Sequence, residues 1–246
     1  MNNEFLKYCK LCLIPETRPN TFIDAEGVCS GCRNFQNRDN TDWDKRKSEL
    51  IETIDKNRPK DGSNYDCIIP CSGGKDSTYQ VIKIKELGFN PLCITVTPCD
   101  VTKIGRKNIE NIKNLGVDYI EITTNPIVRN RLNKYCLNLA GDISWPEAVS
   151  IWCNVARLSI KHKIPVIVWG ENPENENGGP ARNSDVLNDV QRHDHRWMEE
   201  FGGTLGLRAS DILYDLQGEG LKEIDMMPYT YPDSLEIKKN GTLGIF

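Results

Sequence analysis

The chain has 246 residues, of which 27% are charged and 38% apolar, with a net charge of −4; that is the composition of a globular protein with one large domain and room for a small appendage. No apolar run approaches the ~20 residues of a membrane span, and Met1-Asn2-Asn3-Glu4 does not open a charged-then-apolar leader, so the sequence reads as cytoplasmic. The acidic balance supplies no global field to draw the protein onto nucleic acid, and ten cysteines without a leader read as reduced thiols and metal ligands.

The first feature along the chain is Cys9-x-x-Cys12, then sixteen residues, then Cys29-x-x-Cys32. Two such knuckles offer four thiolates to a tetrahedral Zn²⁺, with Pro15, Pro19 and Gly27 making the tight path between them. An iron–sulfur cluster or four unrelated buried cysteines are the competing readings, since thiolates alone do not choose the metal. Four cysteine ligands leave no open coordination position, so the metal is expected to be structural. Gly27-Val28-Cys29-Ser30-Gly31 has the outline of a nucleophile elbow, but no strand precedes it and Cys29 is better used as a ligand. The expected division is a zinc-binding segment over 1–40 and a main domain over 41–246.

A helix is expected from Thr41 to Lys56, where Trp43, Leu50, Ile51 and Ile54 recur at helical spacing. Alternation follows: strand Asp66–Cys71, helix Lys75–Leu87 stopped by Gly88, strand Leu92–Thr97, helix Val101–Leu115 stopped by Gly116, strand Tyr119–Ile122. Helical stretches at Asn125–Leu139 and Pro146–Lys163 lead to a fourth strand, Val166–Trp169, ending at Gly170. Such alternation predicts an α/β, doubly wound parallel sheet whose ligands collect at the carboxyl ends of the strands. The acidic, turn-rich segment 170–180 is either a solvated loop or part of the site, on the substrate or Mg²⁺ side. Leu187–Phe201 and Asp211–Leu216 read as helices, and the apolar end Thr242–Phe246 as an interrupted element or an edge strand.

The most informative stretch lies between the first strand and its helix: Ser72-Gly73-Gly74-Lys75-Asp76-Ser77. Two glycines let backbone N–H groups turn toward one point, two serine hydroxyls can donate, and the positive end of the following helix faces the same place, so the loop is a polyphosphate cradle. Gly74-Lys75-Asp76 breaks the Walker A spacing, which disfavours transfer of a terminal phosphoryl group. The stretch instead resembles the PP-loop, Ser-Gly-Gly-x-Asp-Ser, of the ATP pyrophosphatases, also called adenine nucleotide alpha-hydrolase-like proteins. That resemblance implies cleavage of ATP between its alpha and beta phosphates, adenylation of a carbonyl-type oxygen and release of pyrophosphate.

The N-terminal knuckles, the run Ile68–Ser77 and Val168-Trp169-Gly170-Glu171-Asn172-Pro173 together resemble the N-acetyl sugar amidotransferase family of bacterial surface polysaccharide and pseudaminic-type sugar biosynthesis. The likeness spans essentially the whole chain, although members of that family usually continue beyond the point where this one stops. It implies conversion of an acetamido group on a sugar or nucleotide sugar into an acetamidino group: ATP activates the amide oxygen, ammonia attacks, and AMP leaves. Adenylation repairs a poor electrophile and a poor leaving group together, and the loop's donors steady the departing pyrophosphate.

The ammonia source can be argued from composition. A class I glutaminase needs a cysteine beside a histidine base, yet the elbow-like Cys29 is taken by metal, only His162, His193 and His195 exist, and no leading cysteine is present. Ammonia is therefore expected from a separate glutaminase subunit, as the resemblance also implies. Ser72, Gly73, Gly74, Asp76 and Ser77 are expected to hold phosphate, with Asp76 toward Mg²⁺ and Lys75 toward phosphate or solvent. Thr95, Val96 and Thr97 would line the adenine pocket if the family fold holds. Asn154 and Arg157 resemble the Asn-x-x-Arg of some PP-loop ligases, so Arg157 either neutralises triphosphate or is an ordinary helix-surface arginine. Gly170 and Glu171 are expected to face nucleotide or sugar. His193 and His195 either bind a sugar phosphate or form a polar helix face. The alternative function is a PP-loop tRNA thiolase, for which Cys71 and Cys153 would be redox candidates and the acidic balance is a handicap.

Overall fold

The computed structural model describes residues 6–18, 21–37, 40–97, 100–170 and 208–245. They form two compact units, one with its described residues between Leu6 and Leu50, the other with its described residues over Ile51–Gly170 and 208–245. The expected helix at Leu187–Phe201 and most of the 170–180 segment lie outside the described residues.

The smaller unit has little regular structure. Short antiparallel bridges join Tyr8 to Pro15 and Ile23 to Cys29, and helix α1 (Ser30–Asn37) follows. Lys10 N–H donates to the Gly27 carbonyl at 2.8 Å, which ties the two halves of the segment together. Gly27 has φ +80°, a left-handed conformation that L side chains rarely adopt, so the turn calls for glycine; a Cβ there would meet only the flexible Lys10 side chain, which can move.

The larger unit is built on a five-stranded sheet in the order β3-β2-β1-β4-β5. Its strands are β1 (Cys67–Pro70), β2 (Pro91–Val96), β3 (Asp118–Ile122), β4 (Val166–Val168) and β5 (Leu243–Ile245), and all neighbours run parallel. All six residues of β2 are buried, as are Cys67, Ile68 and Ile69 of β1. Central strands covered on both faces have no solvent side, which is why they read as continuous apolar runs. Within the terminal apolar run, Leu243–Ile245 pairs with β4 at one end of the described sheet, with Val166 opposite Leu243 and Val168 opposite Ile245.

Helix α2 (Trp43–Asn57) precedes β1, where a helix over Thr41–Lys56 was expected, and helices α3 (Lys75–Glu86) and α4 (Lys103–Lys113) are the β1–β2 and β2–β3 crossovers. Helices α5 (Pro126–Ala140) and α6 (Trp145–His162) carry the chain from β3 back past β1 to β4. With right-handed crossovers the reversal sends α5 and α6 to the opposite face from α3 and α4. Leu132, Cys136, Val149 and Cys153 of α5 and α6 form one core with Ile212 and Leu213 of α7 (Ala209–Leu216), Met226 of α8 (Glu223–Met226) and Ile237 of α9 (Ser234–Asn240). Helix starts follow local chemistry. Thr102 caps α4 by accepting from Gly105 N–H at 3.0 Å, and Asn125 caps α5 from Ile127 N–H at 3.0 Å, with Pro126 in the first turn.

Candidate functional site

The chain leaves β1 toward β2 on one side and returns to β4 on the other, so β1 and β4 flank the reversal point of the sheet. In a doubly wound sheet the crevice at the carboxyl ends of such strands is where ligands bind. Ser72–Ser77 follows β1 and Gly170 follows β4. Gln80 of α3 links the two: its Nε2 donates to the Trp169 carbonyl at 2.6 Å, and a Cβ on Gly170 would stand 3.1 Å from its Oε1. Gln80 is a site residue that the sequence reading passed over, although its place one turn beyond Ser77 puts it on the same helix face.

Gly73 has φ +82°, and a Cβ there would lie 3.2 Å from Ile109 Cγ1 and 3.3 Å from Ile109 N of α4. The loop is thus pressed against a neighbouring helix in a conformation that only glycine adopts cheaply. Gly74 is the N-cap of α3 and offers no side chain to the first-turn N–H groups, which leaves these donors for an anion. The hydroxyls fold inward. Ser72 Oγ accepts from Gly74 N–H at 3.2 Å, while Ser77 Oγ and Thr78 Oγ1 donate to the Gly74 carbonyl at 3.2 and 2.8 Å. Lys75 Nζ sits 2.6 and 2.8 Å from the two carboxylate oxygens of Asp76, with both side chains largely exposed. Such a surface pair is weak, so both groups can be redirected when a phosphate or cation arrives.

The end of β2 differs from the expectation. Thr95 is buried, and its hydroxyl is turned under the loop, bonded to the Cys71 carbonyl and the Tyr119 hydroxyl. Its hydroxyl is therefore engaged inside the sheet, donating to one neighbour and accepting from the other, rather than held out toward a ligand. Val96 is buried as well, and Thr97 Oγ1 is buried with no partner among the described residues.

Asn154 and Arg157 share a face of α6, as the spacing required, and their hydrogen bonds go to backbone carbonyls of α6 and of the turn after α8. Asn154 Nδ2 donates to the Ser150 carbonyl at 2.7 Å and the Pro228 carbonyl at 3.0 Å. Arg157 Nη2 donates to the Met227 and Thr230 carbonyls at 3.1 and 2.9 Å. The pair braces the turn after α8. Glu171, His193 and His195 lie outside the described residues.

The thiols near the crevice are suppressed. Cys71 is raised by its hydrogen bond with Cys93 and by burial, and burial pushes Cys153 up to about 12. Both are buried, Cys71 at 4% and Cys153 at 0% exposure, and burial disfavours the thiolate, so packing accounts for both.

In the smaller unit Cys9, Cys12, Cys29 and Cys32 bring their sulfurs within 4.8 Å of one another. Cys9 Sγ lies 3.9 Å from Cys32 Sγ, and Cys12 Sγ 3.6 Å from Cys29 Sγ. A Zn–S bond of ~2.3 Å sets the edge of a regular tetrahedron at about 3.8 Å, so these separations fit one shared ion and exceed any disulfide. Four irons with one thiolate each would spread the sulfurs further. Backbone N–H groups already point at the sulfurs: Leu11 and Cys29 donate to Cys9 Sγ at 3.4 and 3.3 Å, and Cys32 to Cys29 Sγ at 3.4 Å. Donation from the Cys12 backbone, with help from these neighbours, lowers Cys9 to about 6, which favours the ligating thiolate. Cys32 is raised to about 12 by burial and by hydrogen bonding with the other three thiols, a protonated state that a bound cation would reverse.

No protein-family model matches the chain. An uncharacterized protein of Methanocaldococcus jannaschii, MJ1599, is 32% identical over 114 residues, 45% of this chain and 39% of that protein. The aligned part thus spans about two fifths of this relative. Among solved structures, NMN synthetase from Francisella tularensis aligns with a TM-score of 0.40 and 12% identity, over 78% of this chain and 88% of that one. The U34-tRNA thiolase NcsA from Methanococcus maripaludis, solved with its [4Fe-4S] cluster, aligns at 0.37 and 14%, over 96% and 80%. At such likeness the functional reading rests on the residues of the chain itself. No described helix is long and apolar enough to cross a membrane.

Proposed function

We propose that the chain is an ATP-dependent, AMP-forming adenylating enzyme of the PP-loop type. The observation that carries this is the Ser72–Ser77 loop at the reversal point of the sheet, with Gly73 in the left-handed region and uncapped N–H groups at the start of α3. In this reading the loop holds the beta and gamma phosphates, Asp76 takes the Mg²⁺ side once released from Lys75, and the segment after Gly170, including Glu171, faces the acceptor. Zn²⁺ belongs to Cys9, Cys12, Cys29 and Cys32, where it supplies folding energy and no chemistry.

The finer reading, supported by the sequence resemblance, is an amidotransferase that converts an N-acetyl group of a sugar or nucleotide sugar to an acetamidino group. Its ammonia comes from a separate glutaminase subunit. The test is incubation with ATP, Mg²⁺, ammonium and a panel of N-acetylated nucleotide sugars, followed by mass analysis. AMP, pyrophosphate and an amide-to-amidine mass change are expected. ADP and phosphate would reject the adenylating reading, whereas AMP and pyrophosphate formed only with another acceptor would reject the sugar alone.

A further inference from the structure

Cys71 is the last residue before the phosphate loop, and both of its backbone polar groups are held by β2. Its N–H donates to the Ile94 carbonyl at 2.7 Å, and its carbonyl accepts from the Thr95 hydroxyl. The ladder between β1 and β2 has ended at the Pro70–Ile94 pair, so the second bond comes from a side chain where the first comes from the backbone. Thr95 is 2% exposed and Cys71 4%, which shuts water out of this junction.

The protons in the chain of contacts are fixed by elimination. A carbonyl can only accept, so the single hydrogen of the Thr95 hydroxyl goes to Cys71. The Thr95 oxygen is also bonded to the Tyr119 hydroxyl, so Tyr119 must be the donor there. Tyr119 lies on β3 opposite Cys93, and burial raises its hydroxyl well above the ordinary range, which keeps that proton in place. Two adjacent strands and the residue after β1 thus contribute to one directed chain, Tyr119 to Thr95 to Cys71, and its last member sets where Ser72 starts. Hydrogen bonds in series polarise one another, so the terminal bond to Cys71 is firmer than an isolated one.

We propose that Thr95 and Tyr119 are positioning residues for the phosphate loop, which orient its first peptide so that the loop N–H groups converge on polyphosphate. This rests on reading Ser72–Ser77 as the ATP loop. A role confined to packing would change stability and leave the loop's preference for polyphosphate as it was. A positioning role changes how much better the protein binds ATP than AMP, since only ATP carries the beta and gamma phosphates.

The test measures equilibrium binding of ATP and AMP, with Mg²⁺, to the full chain and to Thr95→Val, Thr95→Ser and Tyr119→Phe. Thr95→Val keeps the shape and removes the hydroxyl, and should cut the ATP-over-AMP preference at least tenfold. Thr95→Ser should restore it to within about threefold of the parent. Tyr119→Phe strands no buried donor, since Thr95 still reaches Cys71, and should fold while lowering the preference about threefold. If Thr95→Val does not fold, the Tyr119→Phe ratio decides. An unchanged ratio in either folded variant overturns the proposal, even if the melting temperature falls. A parent protein that shows no preference for ATP would instead overturn the phosphate-loop reading itself, and this inference with it.

Discussion

Replacing Gly73 with alanine tests the loop geometry most directly, because two separate penalties meet at one residue. A side chain in the left-handed region costs about 1–2 kcal/mol. The new methyl would also stand 3.2 Å from Ile109 Cγ1 and 3.3 Å from the Ile109 backbone nitrogen. The second of these is helix backbone and cannot swing aside, so overpacking adds about 1–3 kcal/mol. The sum, about 2–5 kcal/mol, corresponds to a fall of roughly 4–20 °C in melting temperature for a chain of this length. Gly88 provides the control. Its φ is +86°, but nothing lies within 4 Å of an added Cβ, so Gly88→Ala should lose only the conformational part, about 1–2 kcal/mol. Thermal unfolding of both variants isolates the close-approach component. ATP-dependent pyrophosphate release should fall at least roughly tenfold in Gly73→Ala, through loss of a charge-assisted bond of about 1.5–3 kcal/mol, and stay unchanged in Gly88→Ala. Gly73→Ala proving as stable as Gly88→Ala and as active as the parent would refute the argument.

Freshly purified protein should contain about one zinc per chain, and Cys29→Ser should release it and loosen the N-terminal segment; elemental analysis finding no metal would contradict the tetrathiolate site. Asp76→Ala should abolish turnover with the unfolding curve unchanged, since the side chain is exposed and its partner Lys75 is too. Arg157→Gln should lower the melting temperature through the Met227 and Thr230 carbonyls it leaves behind, with ATP affinity preserved; the reverse pattern would return Arg157 to the phosphates. Glu121 is held below the usual carboxylate range by Lys113 first and then Arg106. A depressed carboxylate stabilises above its unfolded pKa and stops doing so as pH falls through its folded one. Glu121→Gln should therefore cost under about 1 kcal/mol at pH 7 and nothing near pH 2, and an equal loss at both would show that packing rather than charge is responsible.

How much of this was legible depended on whether a feature is local. The phosphate loop could be read because its glycines, its serines and the helix that follows are adjacent in sequence, and strands β1 and β2 because burial on both faces makes them unbroken apolar runs. The cysteine cluster was legible for a related reason: each knuckle closes within four residues, and only the pairing of the two knuckles is distant. Asn154 and Arg157 show the limit. Their spacing correctly put them on one face of α6, but spacing does not say what covers that face, and the turn at Met227–Tyr229 does.

Thr95 carries the same limit into the site itself. Its position at the end of a strand was read correctly, and from there a side chain facing the crevice and one facing the sheet interior are equally compatible with the sequence. The choice is made by the register between β2 and β3, which sets Cys93 opposite Tyr119 and so brings the phenol beneath Thr95. Once that hydroxyl is in place, Thr95 gains both a donor and an acceptor inside the sheet, and turning outward would strand the Cys71 carbonyl in a junction without water, at about 1–3 kcal/mol. A residue expected to touch the ligand thus acts on the loop from below, and the preference follows from a strand pairing that no local pattern announces.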